Sequence, residues 1–139
     1  MKKYRRGYTT GVFDMFHIGH LNILRRAKEN CEYLIVGVTT DELCCKRKKK
    51  LPVIPENQRM EIVSSIKYVD EVVKQENMDK FNAISKLRCD VVFVGSDWQG
   101  TKEWDEYEKQ FKLVNCDVIY LPHTDSISST LLREKMKKD

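Results

Sequence analysis

Residues 8–20 read Tyr8-Thr9-Thr10-Gly11-Val12-Phe13-Asp14-Met15-Phe16-His17-Ile18-Gly19-His20. The β-prone residues up to Phe13 predict a strand, whereas Leu21, Leu24 and Ala27, just beyond the stretch, recur at helical spacing. A strand is therefore predicted to lead directly into a helix. This is how a chain of alternating strands and helices begins.

The same alternation is predicted along the whole chain. Short β-prone runs fall at 8–13, 33–38, 69–73, 91–94 and 118–121, and segments with helical spacing lie between them. Several runs are apolar without alternation, as expected for strands buried on both faces of a parallel sheet. We therefore predict an α/β fold, a doubly wound parallel sheet with helices on both faces and ligand sites at the carboxyl ends of its strands.

The length and composition are those of one globular domain, which we assign to residues 1–139. The chain is 41% apolar and 33% charged, and it has no apolar window of the roughly 18 residues that a membrane span requires. The start of the chain, residues 1–6, is not followed by the apolar core of a signal peptide. We therefore expect a cytoplasmic protein that does not insert into membranes.

The cysteines and the charges narrow the chemistry further. Five cysteines, with no C-x-x-C pair, indicate reduced thiols rather than disulfides or a zinc site. Cys31, Cys89 and Cys116 each precede an apolar run, so we predict that they are small buried residues at helix-to-strand junctions. The net charge of +4 is concentrated in one basic block, residues 46–50. A single patch of this kind suits a polyphosphate ligand at least as well as a nucleic-acid backbone.

The stretch that opens the fold also has the features of a phosphate site. Gly11 permits a tight turn, and Gly19 lets the backbone approach a ligand. A phosphate could rest on the helix N-terminus, with His17 and His20, three residues apart, both facing it. The alternatives are one capping and one surface histidine, or a zinc pair, which would lack a nearby third ligand at familiar spacing.

These residues resemble the H-x-G-H signature of the nucleotidylyltransferase superfamily, and Gly11-Val12-Phe13-Asp14 resembles the end of its first strand. Further segments look like the cytidylyltransferase branch, notably the small bacterial glycerol-3-phosphate cytidylyltransferases: 39–42, the basic block leading into 52–55, Arg59, 66–72, 95–98 and 124–130. The resemblance covers nearly the whole chain. It implies a Rossmann-like sheet and a homodimer.

The resemblance also implies roles for individual residues. His17 and His20 would bind and stabilise the reacting phosphates, with Lys48 as the catalytic lysine and Lys50 as a second phosphate contact. The register of these lysines within residues 46–50 stays open, and the block could instead be a solvated loop. Gly11, Val12, Phe13 and Gly19 would also contact the substrates, CTP and the acceptor.

Three further residues are expected in the same site. Arg59 would be another phosphate ligand, with an ordinary surface arginine as the alternative. Asp97 and Trp98 follow a buried strand, where the resemblance implies the cytidine pocket, although a tryptophan can equally serve packing.

The last motif departs from the family pattern. Where related enzymes read Arg-Thr-Glu-Gly-Ile-Ser-Thr-Thr, this chain has His123, Thr124, Asp125, Ser126, Ile127, Ser128, Ser129 and Thr130. We assign substrate contacts to His123, Thr124, Ile127, Ser128, Ser129 and Thr130. Replacing arginine by an imidazole that titrates near neutrality predicts weaker CTP affinity above neutral pH, which a His123→Arg variant tests.

The activity that the resemblance implies is transfer of CMP from CTP, with Mg²⁺, to a small phosphorylated alcohol, by direct in-line attack without a covalent intermediate. Glycerol 3-phosphate is the first candidate acceptor, ahead of choline phosphate, ethanolamine phosphate and other phospho or phosphono alcohols. AMP transfer from ATP is the alternative within the enzyme class. A nucleic-acid-binding module and a nucleotide sensor without activity are the alternatives outside it, and no nucleic-acid partner is expected.

Overall fold

The computed structural model describes residues 4–122, which form five strands and five α-helices; strands and helices alternate except that α2 and α3 are consecutive. The elements are β1 (Tyr4–Gly11), α1 (Ile18–Asn30), β2 (Cys31–Thr39), α2 (Asp41–Lys48), α3 (Glu56–Ser64), β3 (Glu71–Gln75), α4 (Lys80–Leu87), β4 (Val91–Gly95), α5 (Lys102–Lys112) and β5 (Asp117–Leu121). A short 3₁₀ turn, Ser96–Trp98, follows β4.

The sheet is parallel throughout, with the strand order β3-β2-β1-β4-β5. The chain starts in the middle strand, builds outward through β2 and β3, and then returns to the other side of β1 for β4 and β5. This reversal leaves a crevice at the carboxyl ends of β1 and β4, where open α/β sheets bind ligands. The predicted doubly wound fold is therefore confirmed.

Helices cover both faces of this sheet. Leu24 of α1 and Val63 of α3 pack on one face with Val36 of β2, whereas Ile84 of α4 and Phe111 of α5 pack on the other face. In β2 the neighbours Leu34, Ile35 and Val36 alternate between the two cores, because successive side chains of a strand point to opposite faces. A continuous apolar run in the sequence thus reflects a strand that is buried on both sides.

The cysteines at the helix-to-strand junctions are buried, as predicted. Cys31 starts β2, and Cys89 and Cys116 lie immediately before β4 and β5. Burial raises the pKa of the Cys89 and Cys116 thiols to about 12. These thiols are therefore protonated at neutral pH and serve packing.

Two element boundaries differ from the sequence prediction for physical reasons. β1 ends at Gly11 rather than at residue 13, because Phe13 and Met15 adopt left-handed backbone conformations with φ of 54° and 49°. The predicted strand at 69–73 begins at Glu71, because the backbone N–H of Val69 closes a turn onto the Ile66 carbonyl.

The helix α2 was not predicted, because the basic block hides it. Its apolar spacing is weak, and it is specified instead by its ends. The Thr40 hydroxyl accepts from the Leu43 N–H at 3.1 Å, and acidic residues occupy the first turn while basic residues occupy the last. Both arrangements are favourable for a helix of any apolar pattern. Four residues of the basic block therefore lie in or cap a helix, with Lys49 as its left-handed C-cap.

Candidate active site

A cavity of about 510 Å³ lies at the carboxyl ends of β1 and β4. This volume is typical of sites for small molecules and nucleotides. Its walls come from the end of β1 and the loop after it, from α1, from α2 and the turn that follows, and from the end of β4. Of the predicted site residues, it is lined by Gly11, Val12, Phe13, His20, Lys48, Lys50, Asp97 and Trp98.

His17 and His20 together form the N-terminal cap of α1. The Nδ1 atom of His17 accepts from the Gly19 N–H at 3.0 Å, and the Nδ1 atom of His20 accepts from the His17 N–H at 3.2 Å. The two rings stack with centroids 3.9 Å apart. Because both Nδ1 atoms accept hydrogen bonds, each neutral ring carries its proton on Nε2, which remains as a donor.

Both histidines are held neutral at physiological pH. The pKa of His20 is lowered to about 4, chiefly by burial and also by the neighbouring His17, although the Asp14 carboxylate acts in the opposite direction. Burial also lowers the pKa of His17. The pair therefore offers N–H donors to a phosphate, while the compensating positive charge has to come from elsewhere in the site.

Two lysines of the basic block, Lys48 and Lys50, lie where they can supply that charge. Lys48 is the last residue of α2, and Cys44, one turn earlier, lines the cavity with it. Lys50 reaches the same cavity after Lys49, whose left-handed φ of 58° turns the chain. Lys46, by contrast, is exposed, and its Nζ lies 3.2 Å from Oε1 of Glu42. Of the registers left open by the sequence, the structure brings Lys48 and Lys50 to the cavity.

Gly11 and the residues after it shape the floor of the cavity in a way that differs from the prediction. The tight turn expected at Gly11 is made instead by Phe13 and Met15. Glycine is required at position 11 for space, because a Cβ there would lie 2.9 Å from the Phe13 ring. That ring in turn meets His20 edge to face, with centroids 5.4 Å apart.

Arg59, for which the sequence suggested a role as phosphate ligand, is buried and is not among the described residues that line the cavity. Its side chain is fully buried, and its guanidinium donates to the carbonyls of Val12, Thr39 and Ile54 at 2.7 to 2.8 Å. It also bonds the Asp41 carboxylate at 2.6 Å. The guanidinium nitrogen atoms are thus turned toward protein oxygens of the segments around the cavity.

Asp14 also bonds a segment beside the cavity. The sequence pattern gave this residue no role of its own. Its buried carboxylate accepts from the Val53 and Ile54 N–H groups, both at 2.8 Å. The left-handed residues Phe13 and Met15 flank it directly. Such backbone strain is typical of functional loops whose geometry the surrounding structure enforces.

Asp97 and Trp98 lie in the 3₁₀ turn after β4, at the mouth of the cavity. Trp98 is 40% exposed, whereas Trp104 is 5% exposed and belongs to the core. The packing role that a tryptophan often has thus falls to Trp104. Trp98 presents a ring at the cavity edge on which a planar base can stack.

Lys80 is a site residue that the sequence pattern missed. It is the first residue of α4, it is 8% exposed, and its Nζ donates to the hydroxyl of Thr10, which lines the cavity, at 3.1 Å. The pKa of Lys80 is lowered to about 8, chiefly by burial and also by the charge of Arg47, although the charge of Glu103 acts in the opposite direction. A lysine in the first turn of a helix interacts unfavourably with the helix dipole. This conflict is the feature of the sequence that could have drawn attention to Lys80.

A second, smaller cavity of about 270 Å³ adjoins Lys80. It is bounded by the end of β3 and by α4, and it includes Gln75, Asp79 and the buried Tyr8. Lys80 thus lies between this cavity and Thr10 at the floor of the larger one.

The remaining predicted contacts fall outside the described residues: His123, Thr124, Ile127, Ser128, Ser129 and Thr130. His17 and Gly19, also predicted, form the first turn of α1 beside His20. Within residues 4–122, no three His, Cys, Asp or Glu side chains are grouped so that they could hold a metal ion. No helix in the same range is long and apolar enough to cross a membrane.

Comparisons with known proteins agree with this geometry. The model of the cytidylyltransferase-like family matches residues 8–135. The glycerol-3-phosphate cytidylyltransferase of Bacillus spizizenii is 39% identical over 129 residues, which cover 92% of this chain and 94% of that protein. The FAD synthase of Archaeoglobus fulgidus is 38% identical over 110 residues, or 79% of each chain.

Solved structures show the same fold. A lipopolysaccharide core biosynthesis protein from Thermoplasma volcanium superimposes with a TM-score of 0.72 at 26% identity, over 87% of this chain and 97% of the other. The pantoate-β-alanine ligase of Francisella tularensis aligns with a TM-score of 0.62 over 99% of this chain and 70% of the other. At 14% identity, the second likeness concerns the fold alone.

Proposed function

Because this chain belongs to the cytidylyltransferase-like family, we propose that it transfers CMP from CTP to a small phosphorylated alcohol and releases pyrophosphate. One observation carries the proposal: His20, stacked on His17, lines the same cavity as Lys48 and Lys50. A triphosphate in this cavity would meet both imidazole N–H donors and ammonium groups.

The reaction we propose is in-line attack by a phosphomonoester oxygen of the acceptor on the α-phosphorus of the nucleotide. The acceptor oxygen is already ionised, so the protein has to align two anions and stabilise the charge that develops on the α-phosphate and the leaving pyrophosphate. The Nε2–H donors of His17 and His20 serve the α-phosphate. Lys48 and Lys50 serve the leaving group.

We propose that Mg²⁺ enters with the triphosphate, since Mg²⁺ is usually held by substrate phosphates and one or two carboxylates. Among the described residues, two carboxylates line the cavity, Asp14 and Asp97. Asp97, in the 3₁₀ turn after β4, would supply a carboxylate ligand to the ion. The ion would neutralise part of the charge on the phosphates.

The acceptor phosphate, we propose, binds at Lys80. Its ammonium is buried beside Thr10, at the cavity floor, and Arg47 adds a second positive charge to the same neighbourhood. Two cations at this point favour an anionic acceptor over a neutral alcohol. The small cavity next to Lys80 supports a compact acceptor such as glycerol 3-phosphate.

The second candidate function is AMP transfer from ATP, and the archaeal FAD synthases among the relatives favour it. We place it second because the two Bacillus glycerol-3-phosphate cytidylyltransferases are 37 to 39% identical over 92% of this chain, whereas the FAD synthases that cover a comparable share are 35 to 36% identical. We further propose that the enzyme acts in the cytoplasm and forms a homodimer. Light scattering of the purified protein tests the homodimer.

The deciding experiment is a pyrophosphate-release assay with Mg²⁺ in which CTP and ATP are each paired with a panel of acceptors. The panel contains glycerol 3-phosphate, choline phosphate, ethanolamine phosphate and riboflavin phosphate. We expect turnover with CTP and glycerol 3-phosphate. Turnover confined to ATP would replace the proposal by the second candidate, and no turnover with any pair would overturn both.

A further inference from the structure

Residues 41–55, here called the basic arm, carry Lys48 and Lys50 into the site. The arm consists of α2 and the turn that leads to α3. In α2 only Leu43 and Cys44 are buried, and the arm has exposed residues over most of its length. Apolar packing therefore contributes little to its position, and polar contacts have to hold it.

The base of the arm is closed by Arg59. Its Nη2 bonds the Asp41 carboxylate, where the arm begins, and its Nε donates to the Ile54 carbonyl, where the arm ends. Asp41 and Glu56 reinforce this closure, because the backbone N–H of each donates to the carboxylate of the other, at 2.9 and 3.3 Å. One buried guanidinium thus joins both ends of the segment that bears the lysines.

The same guanidinium ties the arm to the strand that precedes the histidines. Its Nη1 donates to Val12 at the end of β1 and to Thr39 at the end of β2. Asp14 adds a second tie through the Val53 and Ile54 N–H groups. Ile54 is therefore held through both of its backbone polar groups, by Asp14 on one side and by Arg59 on the other.

We propose that Arg59 is a positioning residue, which holds the basic arm so that Lys48 and Lys50 line the same cavity as His20. Its kinetic consequence rests on the proposed function, whereas the positioning itself does not. The role requires arginine, because a planar guanidinium has donors in several fixed directions and can serve four oxygens at once. The ammonium of lysine is a compact charge at one point and cannot span them.

The test compares Arg59→Met and Arg59→Lys with a matched control, Val63→Ala. Val63 lies on the same helix, α3, and is fully buried in the apolar core. Its truncation lowers global stability by removing core methyl groups without touching the polar contacts of the arm. Asp41→Asn, which keeps an oxygen acceptor but removes the charge, is a milder second probe of the same contacts should Arg59→Met fail to fold.

The first readout is trypsin cleavage at residues 46–50, at a temperature where every variant remains folded. Since cleavage follows local opening, we expect Arg59→Met to be cut about tenfold faster than Val63→Ala, with Arg59→Lys and Asp41→Asn in between. Equal cleavage of Arg59→Met and Val63→Ala would overturn the proposal, because the arm would then respond only to global stability. The same holds for Asp41→Asn if it replaces Arg59→Met.

The second readout is steady-state kinetics with CTP and the best acceptor. We expect the KM for CTP to rise about tenfold or more in Arg59→Met, with partial rescue in Arg59→Lys, while Val63→Ala keeps the wild-type KM. An unchanged KM in Arg59→Met would overturn the role in positioning. Absence of turnover in the wild-type protein would refute the proposed function instead, and the proteolysis result would still decide the role of Arg59.

Discussion

At His17 and His20 the two nitrogens of one ring have separate tasks. The Nδ1 atoms accept backbone N–H groups and so form the first turn of α1, whereas the Nε2–H groups remain for the ligand. The sequence left two alternatives for a histidine here, a helix cap and a phosphate ligand. One side chain can serve as both. This double use makes the two roles separable by mutation.

We predict that His17→Asn keeps the fold and loses the activity. Asparagine is a favoured N-cap, so its side-chain oxygen replaces Nδ1, but it provides no donor at the position of Nε2. Turnover should fall by about 10² to 10³, the usual loss for one well-placed donor. His17→Ala should lose the same activity and also about 1 kcal/mol of stability. Pyrophosphate release and thermal unfolding measure the two effects, and near-wild-type turnover in His17→Asn would refute the assignment.

Lys80 gives a second prediction at this scale. Lys80→Met should keep or raise the melting temperature at pH 7, because it removes a buried charge, while the KM for the acceptor should rise. The pKa of Lys80 is lowered to about 8 in the fold, so the unfolded chain binds more protons between about pH 8 and 10.5. The wild-type protein should therefore gain stability across that range, and Lys80→Met should lack this gain.

The control for Lys80 is Lys102→Met. Lys102 is also the first residue of a helix, α5, but it is exposed. We expect Lys102→Met to leave both the KM for the acceptor and the pH dependence of the melting temperature unchanged. A lower melting temperature in Lys80→Met than in the wild-type protein would contradict the prediction, because it would show that the charge of Lys80 stabilises the fold.

The sequence identified some of these residues and misjudged others for a definable reason. Glycine and histidine spacing at Gly19, His17 and His20 is local, and it predicted their neighbourhood. The burial of Arg59 depends on oxygens of Val12 and Thr39, which are 47 and 20 residues away along the chain. Periodicity carries no information about such contacts.

At the scale of single elements, the stability of α2 depends on its end residues more than does that of a helix with a strong apolar face. The amphipathic α5 packs through Trp104 and Phe111, and its N-cap Thr101 accepts from the Trp104 N–H at 3.3 Å. Apolar spacing therefore predicted α5 and failed for α2. Helix stability without a packed face has to come from capping and charge placement.

We predict that Thr40→Ala weakens nucleotide binding, whereas Thr101→Ala does not. Each change removes an N-cap of about 1 kcal/mol, but the loss in α2 falls on the element that carries Lys48. The KM for CTP should rise several-fold in Thr40→Ala only. Steady-state kinetics and melting curves of both variants provide the comparison, and equal KM values would show that α2 is held without its cap.

For the whole molecule, the alternation of strands and helices predicted the layers and the parallel sheet, and the structure confirms both. The order β3-β2-β1-β4-β5 was not read from the sequence, since apolar runs do not indicate which strands are neighbours. That order places Thr10 of β1 beside the start of α4, which explains why Lys80 reaches the site from 70 residues away.

The stability of the whole molecule should depend on pH through His20. Its pKa is lowered to about 4 by burial, against 6.5 for an ordinary histidine, so between these values the unfolded chain binds more protons. Stability should therefore rise with pH from about 4 to 6.5. We expect melting temperatures measured across this range to show a shallower slope in His20→Asn, and an identical slope would contradict the burial of a neutral imidazole.

The contacts that hold the basic arm have an evolutionary consequence. Arg59 and Asp14 grip Val12, Thr39, Val53 and Ile54 only through backbone atoms, so selection on those contacts leaves the side chains at these four positions open to drift. The exception is proline at 53 or 54, which would delete the N–H that Asp14 requires. Val12 lines the cavity, so substrate preference can diversify through its side chain while the backbone contacts that hold the arm are inherited unchanged.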